Sequence, residues 1–194
     1  MRERPILFSA PMVRAILNGQ KTMTRRIIKN AADIIQDWDA KDKSYGPFYQ
    51  DKYGESHETS KACPYGQCGD SLWVRETFHK YTNGKIIYRA SIPYGNLDCH
   101  FKPWRPSIFM PRWASRITLE ITEVRVERVQ EINRQDAKAE GFCPGLNGLE
   151  FWDGQSYGNA QLAFQACWKS INGPESWNAN PFVWVIKFKR LVPL

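Results

Sequence analysis

Residues 182–190 alternate without a break. Phe182, Trp184, Ile186 and Phe188 fall on one side of an extended chain, and Val183, Val185, Lys187 and Lys189 on the other. A helical period would scatter those aromatic rings around the axis, so the stretch predicts a strand with large side chains to bury. Residues 71–78 follow the same period, with Leu72 and Val74 opposite Trp73 and Arg75. An Asn83-Gly84 turn leads into a second strand over 85–91, which predicts a hairpin of the Asn-Gly type. Residues 116–128 place Ile117, Leu119 and Ile121 on one face, and the alternation then slips before Val124 and Val126, the signature of a β-bulge. Short extended stretches at 5–8 and 21–28 complete the set.

Three helices are expected between them. Ser9 caps the first, with Pro11 in its first turn, one apolar face of Met12, Val13, Ile16 and Leu17, and Gly19 as its stop. Asn133 caps a second that runs through Asp136 to Glu140 and ends at Gly141. The third covers 159–171, with Leu162, Ala166 and Cys167 directed inward. Strands and helices do not alternate regularly, which excludes a parallel α/β sheet. The expected class is α+β: a small mixed β-barrel of five to seven strands flanked by about three helices. Residues 29–68 and 142–158 lack hydrophobic periodicity and are taken as insertions into one domain spanning 1–194. A short helix is expected near 31–38 and a Gly-rich loop over 143–157.

With 42% hydrophobic residues among 194, the chain can build a core, and disorder is excluded as its general state. The net charge of +7 is unevenly spread. Residues 1–30 carry +6, residues 31–70 carry −4, and residues 100–128 carry +3. A focused positive field suits a polyanion or a phosphorylated ligand, and equally a solubilising surface. Five cysteines, an odd number, with no signal peptide expected, argue against a disulfide framework. Cys63 and Cys68 lack a second pair at finger-like spacing, so no metal or other cofactor is expected. No apolar run reaches membrane-spanning length, and the chain is expected to be cytoplasmic. Most of the eight tryptophans are expected in the core or in aromatic pockets, with base stacking as the alternative.

Particular segments resemble a known family. Ile16-Leu17-Asn18-Gly19 followed by Gln20-Lys21-Thr22-Met23-Thr24-Arg25-Arg26 resembles the opening motif of ASCH domains. Gly69-Asp70-Ser71-Leu72-Trp73-Val74-Arg75-Glu76 is similar to that family's second motif, and Ala139-Glu140-Gly141-Phe142 to its later helix end. Trp184 to Phe188 resembles its closing strand. The long segments between these motifs do not match the minimal domain. Together with Cys63-Pro64-Tyr65-Gly66, the pattern also resembles ASCH-like proteins carried by phages and prophages of enteric bacteria. The resemblance implies a PUA-like pseudo-barrel with a cleft between barrel and helices, and an association with RNA or nucleoside ligands. One bacterial branch hydrolyses the acetyl amide of N4-acetylcytidine, and its catalytic set carries over to Lys21, Thr24 and Glu140. Another branch is ribonucleolytic, and a shared fold does not choose between them.

The residue types suit amide hydrolysis. Thr24 can serve as nucleophile and Lys21 as its base, provided that burial or like charge from Arg25 and Arg26 keeps the lysine neutral. Glu140 can relay protons or bind an exocyclic amine; it can equally hold Lys21 charged, which opposes the base role. Thr22, Arg25, Arg26, Trp73, Arg75, Glu76, Trp104 and Arg112 are the expected substrate-binding residues. Trp104, Arg105, Arg112, Trp113 and Arg116 interleave as in surfaces that stack and clamp single-stranded nucleic acid, or else form a loop packed on the barrel. The leading expectation is a nucleoside- or RNA-binding cleft with amidohydrolase activity. The alternatives are a non-catalytic RNA or modified-DNA reader, and a phage accessory protein whose acidic 31–70 segment binds a host protein.

Overall fold

The computed structural model describes residues 1–29, 48–50, 56–58, 63–92, 103–142, 150–152 and 155–191. Five strands form one sheet: β1 (Glu3–Leu7), β2 (Met23–Ile27), β5 (Ser71–Arg75), β8 (Thr118–Arg128) and β11 (Phe182–Leu191). Their order is β1-β5-β8-β11-β2. Only β1 and β5 run parallel; the remaining pairs are antiparallel. Three hairpins stand apart from the sheet: β3 (Phe48–Gln50) with β4 (Ser56–Glu58), β6 (Phe78–Lys80) with β7 (Ile86–Tyr88), and β9 (Glu150–Trp152) with β10 (Gln155–Tyr157). The α-helices among the described residues are α1 (Ala10–Leu17), α2 (Arg134–Ala139) and α3 (Ala160–Asn172).

The mixed α+β class is as expected, but backbone pairing does not close the barrel. Among the described residues the sheet has two free edges, β1 and β2. Side chains join them where the sheet curls: the Arg26 guanidinium on β2 donates to the Leu7 carbonyl on β1 at 2.6 Å and lies 5.2 Å from the Phe8 ring.

β11 explains the architecture. It pairs on both sides, with β8 and β2, and is buried on both faces. Trp184, Ile186 and Phe188 pack with Leu72, Leu119 and Ile121, covered by Val13 and Ile16 of α1. Val183 and Val185 pack with Met23 against Ala137 of α2 and Ala163, Phe164, Cys167 and Trp168 of α3. The two faces of one strand thus nucleate two cores, and the boundary between them passes along β2. The slip in β8 is a bulge: Lys187 stands opposite Glu123 and Phe188 opposite Ile121, so Thr122 is the extra residue.

Four expectations change. The strand expected over 71–78 breaks after Arg75, and the hairpin partner of β7 is β6. Its turn is not the two-residue Asn-Gly kind: Gly84 N–H donates to the Tyr81 carbonyl at 3.0 Å, and Gly84 alone takes a positive φ of 84°. Thr82 and Asn83 therefore sit at the turn centre, with Gly84 in the left-handed bulge position. Part of the segment expected as a Gly-rich loop forms β9 and β10. Leu162 is exposed, because the buried stripe of α3 runs through Ala160, Ala163, Phe164, Cys167 and Trp168, about half a turn away. The helix expected near 31–38 lies outside the described residues.

Candidate functional site

The site starts where α1 stops. Gly19 takes a φ of +73°, and the N–H groups of Gln20 and Lys21 both donate to the Ala15 carbonyl, at 2.8 and 3.0 Å. This hook delivers Lys21 to the end of α2, where it forms an isolated bridge with Glu140. The adjacent Thr22 N–H donates to the Ala139 carbonyl at 2.8 Å. Lys21 Nζ then donates twice to one residue: to Glu140 Oε2 at 2.6 Å and to the Glu140 carbonyl at 2.8 Å. Both side chains are almost wholly buried.

Gly141 makes this approach possible. Its φ is +103°, and a Cβ there would lie 3.1 Å from Ala15 Cβ and 3.3 Å from Lys21 Cβ. We expect Gly141→Ala to cost at least about 1–2 kcal/mol from the backbone alone, read as a lower midpoint in urea unfolding. Wild-type stability in that variant would contradict the packing described.

Arg25 extends the pair into a network. It projects to the helix side of β2, where Nη2 meets Glu127 Oε2 at 2.9 Å and Asp136 Oδ2 at 2.8 Å, and Nη1 reaches Glu140 Oε1 at 3.4 Å. Arg125 shares Asp136 at 2.7 Å and also binds Glu123 and Glu127. Lys187 closes on Glu123 at 2.6 Å. A continuous chain of alternating charge thus runs from Lys187, half exposed, to Lys21 in the interior. Arg25 was expected to hold a ligand anion; its Nη atoms are instead engaged by three carboxylates.

A pocket opens along the free edge of β2. Four consecutive strand residues, Thr24 to Ile27, form one wall; one face of α3, from Phe164 to Asn172, forms the other; and Glu140 and Phe142 contribute from beyond α2. It holds about 450 Å³ of atom-free space, part of it open to solvent. Thr24 is buried, and among the described residues its hydroxyl has no hydrogen-bond partner. No hydrogen bond joins it to Lys21 or Glu140. Two of the residues that line the pocket add buried donors, Arg25 Nε and Trp168 Nε1, which have no acceptor among the described residues. Native proteins leave few such donors.

Burial is the main cause that lowers the Lys21 pKa. Glu140 opposes the shift and Arg26 reinforces it. Burial also lowers Arg26, and pushes the Cys167 thiol up to about 12. The lysine's depressed value sets a sign. At neutral pH it is protonated in the unfolded chain, and burying that charge lowers stability. As pH climbs toward the unfolded value of about 10.4, the unfolded state binds more protons than the folded one, so the penalty lifts. Relative to Lys21→Met, wild-type stability is expected to rise with pH across the alkaline range. A difference that stays flat from about pH 7 to about pH 10 would contradict the shift.

The remaining candidates divide. Thr22 is exposed beside the bridge. Trp73, Arg75, Glu76, Trp104 and Arg112 do not line this pocket. Glu76 is buried and receives two hydrogen bonds from Arg116, at 2.8 and 3.0 Å, while burial raises its pKa. Arg112 pairs with Glu3 at 2.6 Å, and Trp73 lies under the guanidinium groups of Arg75 and Arg112. Trp104 meets His79 edge-on. Sequence reasoning missed the pocket wall from α3 and Phe8, whose ring lies 5.7 Å from Lys21 Nζ. The i, i+3, i+4 spacing of Phe164, Cys167 and Trp168 was the available signal for the wall. Among the described residues no three His, Cys, Asp or Glu side chains gather as a metal site, and no helix is long and apolar enough to cross a membrane.

No protein-family model matches the chain, and no curated protein matches it. Among solved structures, the crystal structure of an ASCH domain from Lactobacillus crispatus JV V101 aligns with 97% of this chain and 79% of its own. The identity is 13% and the TM-score 0.42.

Proposed function

We propose that the pocket between β2 and α3 takes a nucleoside, or one nucleotide of an RNA strand, and hydrolyses an N-acyl amide on its base. The observation that carries the reading is the pocket's set of unspent polar groups. A free threonine hydroxyl and two unpartnered N–H donors belong to residues lining one recess, which the buried Lys21–Glu140 pair borders. A base with ring and carbonyl acceptors satisfies donors of this kind, and Phe142, Phe164 and Trp168 offer apolar walls to its faces. The resemblance of residues 19–26 and 139–142 to ASCH motifs points to the same ligand class.

The chemistry runs in two steps. Thr24 Oγ1 attacks the acyl carbon while its proton passes to Lys21 in the neutral form that burial favours. That proton then goes to the departing amine nitrogen as the C–N bond breaks. Water attacks the acyl-threonine carbonyl and gives up a proton to the same base; the ester bond to Thr24 Oγ1 then breaks as that proton passes to the threonine oxygen, which releases the acid and restores both residues. Glu140 holds the lysine nitrogen in place throughout. The hydroxyl–lysine contact is made around bound substrate, as catalytic hydrogen bonds commonly are.

A second reading is a binding pocket without chemistry, and one observation favours it: Lys21 Nζ is already bonded to both the carboxylate and the carbonyl of Glu140, an arrangement that holds a charged lysine. The experiment that separates the two is incubation of purified protein with N4-acetylcytidine, followed by chromatography for cytidine and acetate, alongside calorimetric titration with cytidine. Turnover supports the first reading. Binding without turnover supports the second. Neither binding nor turnover sinks both. A host-protein role for residues 31–70 rests mostly on positions outside the described residues.

A further inference from the structure

We propose that residues 103–116 and the β6–β7 hairpin form a second site, a stacking platform for single-stranded nucleic acid. The platform begins with an exposure pattern that folding does not explain. Single helical turns at Ser107–Phe109 and Arg112–Ala114 follow one another. Met110 and Ala114 point inward and pack on Phe78, each about 1% exposed. Their chain neighbours Phe109 and Trp113 point outward, 68% and 62% exposed, with Ile108 at 58% beside them. Phe109 and Trp113 are the only exposed Phe or Trp side chains among the described residues.

The scaffold beneath them is anchored. Phe78 and Arg105 exchange backbone hydrogen bonds at 3.1 and 2.8 Å, the Tyr88 hydroxyl donates to the Ala114 carbonyl at 2.9 Å, and Arg75 donates to the Ile108 carbonyl. Outward aromatic rings on an anchored support are what base stacking needs.

The charge around the rings selects the partner. Residues 77–92 and 103–116 hold six Lys and Arg and no Asp or Glu. Arg112 and Arg116 are neutralised by Glu3 and Glu76. Lys80, Lys85, Arg89 and Arg105 form no ion pair among the described residues. Lys80 Nζ lies 4.8 Å from the Trp113 ring, which joins a cation to a stacking surface. A second copy of the chain would set this positive face against itself. A duplex keeps its base faces covered. A single strand offers phosphates to the cations and bare bases to the rings. Three successive contacts link the platform to the pocket rim: Arg26 binds the Leu7 carbonyl, Leu7 pairs in register with Arg75, and Arg75 binds the Ile108 carbonyl. That a bound strand continues toward the pocket rests on the reading given above; the platform itself does not.

The test is fluorescence anisotropy with a labelled single-stranded RNA of about 12 nucleotides, the same sequence as DNA, and its duplex, at about 50 and 200 mM salt. Wild type is expected to bind single strands more tightly than duplex, and the tighter of the RNA and DNA arms identifies the natural strand. Phe109→Ala/Trp113→Ala is expected to weaken binding at least about tenfold. Lys80→Ala/Arg105→Ala is expected to reduce the log–log salt slope by about 1. All four residues are exposed, so thermal midpoints near wild type and unchanged nucleoside turnover serve as controls. Loss of oligonucleotide binding with intact nucleoside chemistry supports the platform, as does loss in a protein that proves to have no nucleoside activity. Unchanged affinity in the aromatic double variant overturns it, and so does duplex bound as tightly as single strand. Dissociation of an oligomer by that variant, with RNA affinity unmoved, overturns it in favour of a contact between copies.

Discussion

Glu140→Ala is expected to destabilise the protein by about 3–5 kcal/mol, a large share of the roughly 5–15 kcal/mol that stabilises an ordinary domain. Among the described residues the carboxylate is the only acidic partner of Lys21, whose side chain is about 1% exposed, and it also faces Arg25, which is fully buried. Its removal leaves the buried lysine nitrogen without its acidic partner and takes a partner from a guanidinium, and the loss of a partner costs far more than a buried pair contributes by itself. Arg25 keeps Glu127 and Asp136, so most of the loss falls on Lys21. The double variant Lys21→Met/Glu140→Leu tests this assignment. It removes the orphaned lysine nitrogen together with its partner and is expected to recover most of the stability, a non-additive result between residues in contact. Urea unfolding measures both. A loss below about 1 kcal/mol in Glu140→Ala, or a double variant as unstable as the sum of its singles, would contradict a buried, mutually dependent pair.

The same pair shows what the sequence could and could not convey. Local features carry local signals. The alternation of 182–190 marked β11, the broken alternation after Ile121 marked the bulge at Thr122, and Asn133 capped α2 by accepting the Asp136 N–H at 2.8 Å. Each is a matter of neighbours a few residues apart, where period and capping chemistry suffice. Lys21 and Glu140 are 119 positions apart, and Arg25 meets Glu127 and Asp136 across 102 and 111. No period links such positions. Resemblance to a family's motifs named Lys21, Thr24 and Glu140 together, but it could not say that Arg25 faces the carboxylates of the helix side. That follows from the alternation of β2 only once the packing of α2 against that face is known. Burial was misjudged where one hydrophobic residue was weighed apart from its stripe: Leu162 is apolar yet points outward, because five neighbours on α3 define the inward face without it. The tryptophans divide as side-chain environment dictates, with Trp168 and Trp184 buried and Trp113 exposed.

On the proposed hydrolysis, Thr24→Val is expected to lower kcat on N4-acetylcytidine by at least about a hundredfold while leaving the pocket's shape intact. Valine keeps the branched volume and the strand preference of threonine, so β2 and its pairing with β11 at Ile186 should persist. What it removes is the one hydroxyl in the described pocket wall, which no group among the described residues engages. Lys21→Met should fall as far, because a nucleophile and its base act as a unit; combining the two should add little to either alone. The double result separates chemistry from architecture. A structural role for Thr24 would move the unfolding midpoint and cytidine affinity together, whereas a nucleophile's loss moves kcat with affinity nearly unchanged. Turnover that survives Thr24→Val would remove the threonine from the mechanism. Turnover that survives Lys21→Met would leave the buried pair as a structural clasp beneath a pocket whose base lies elsewhere.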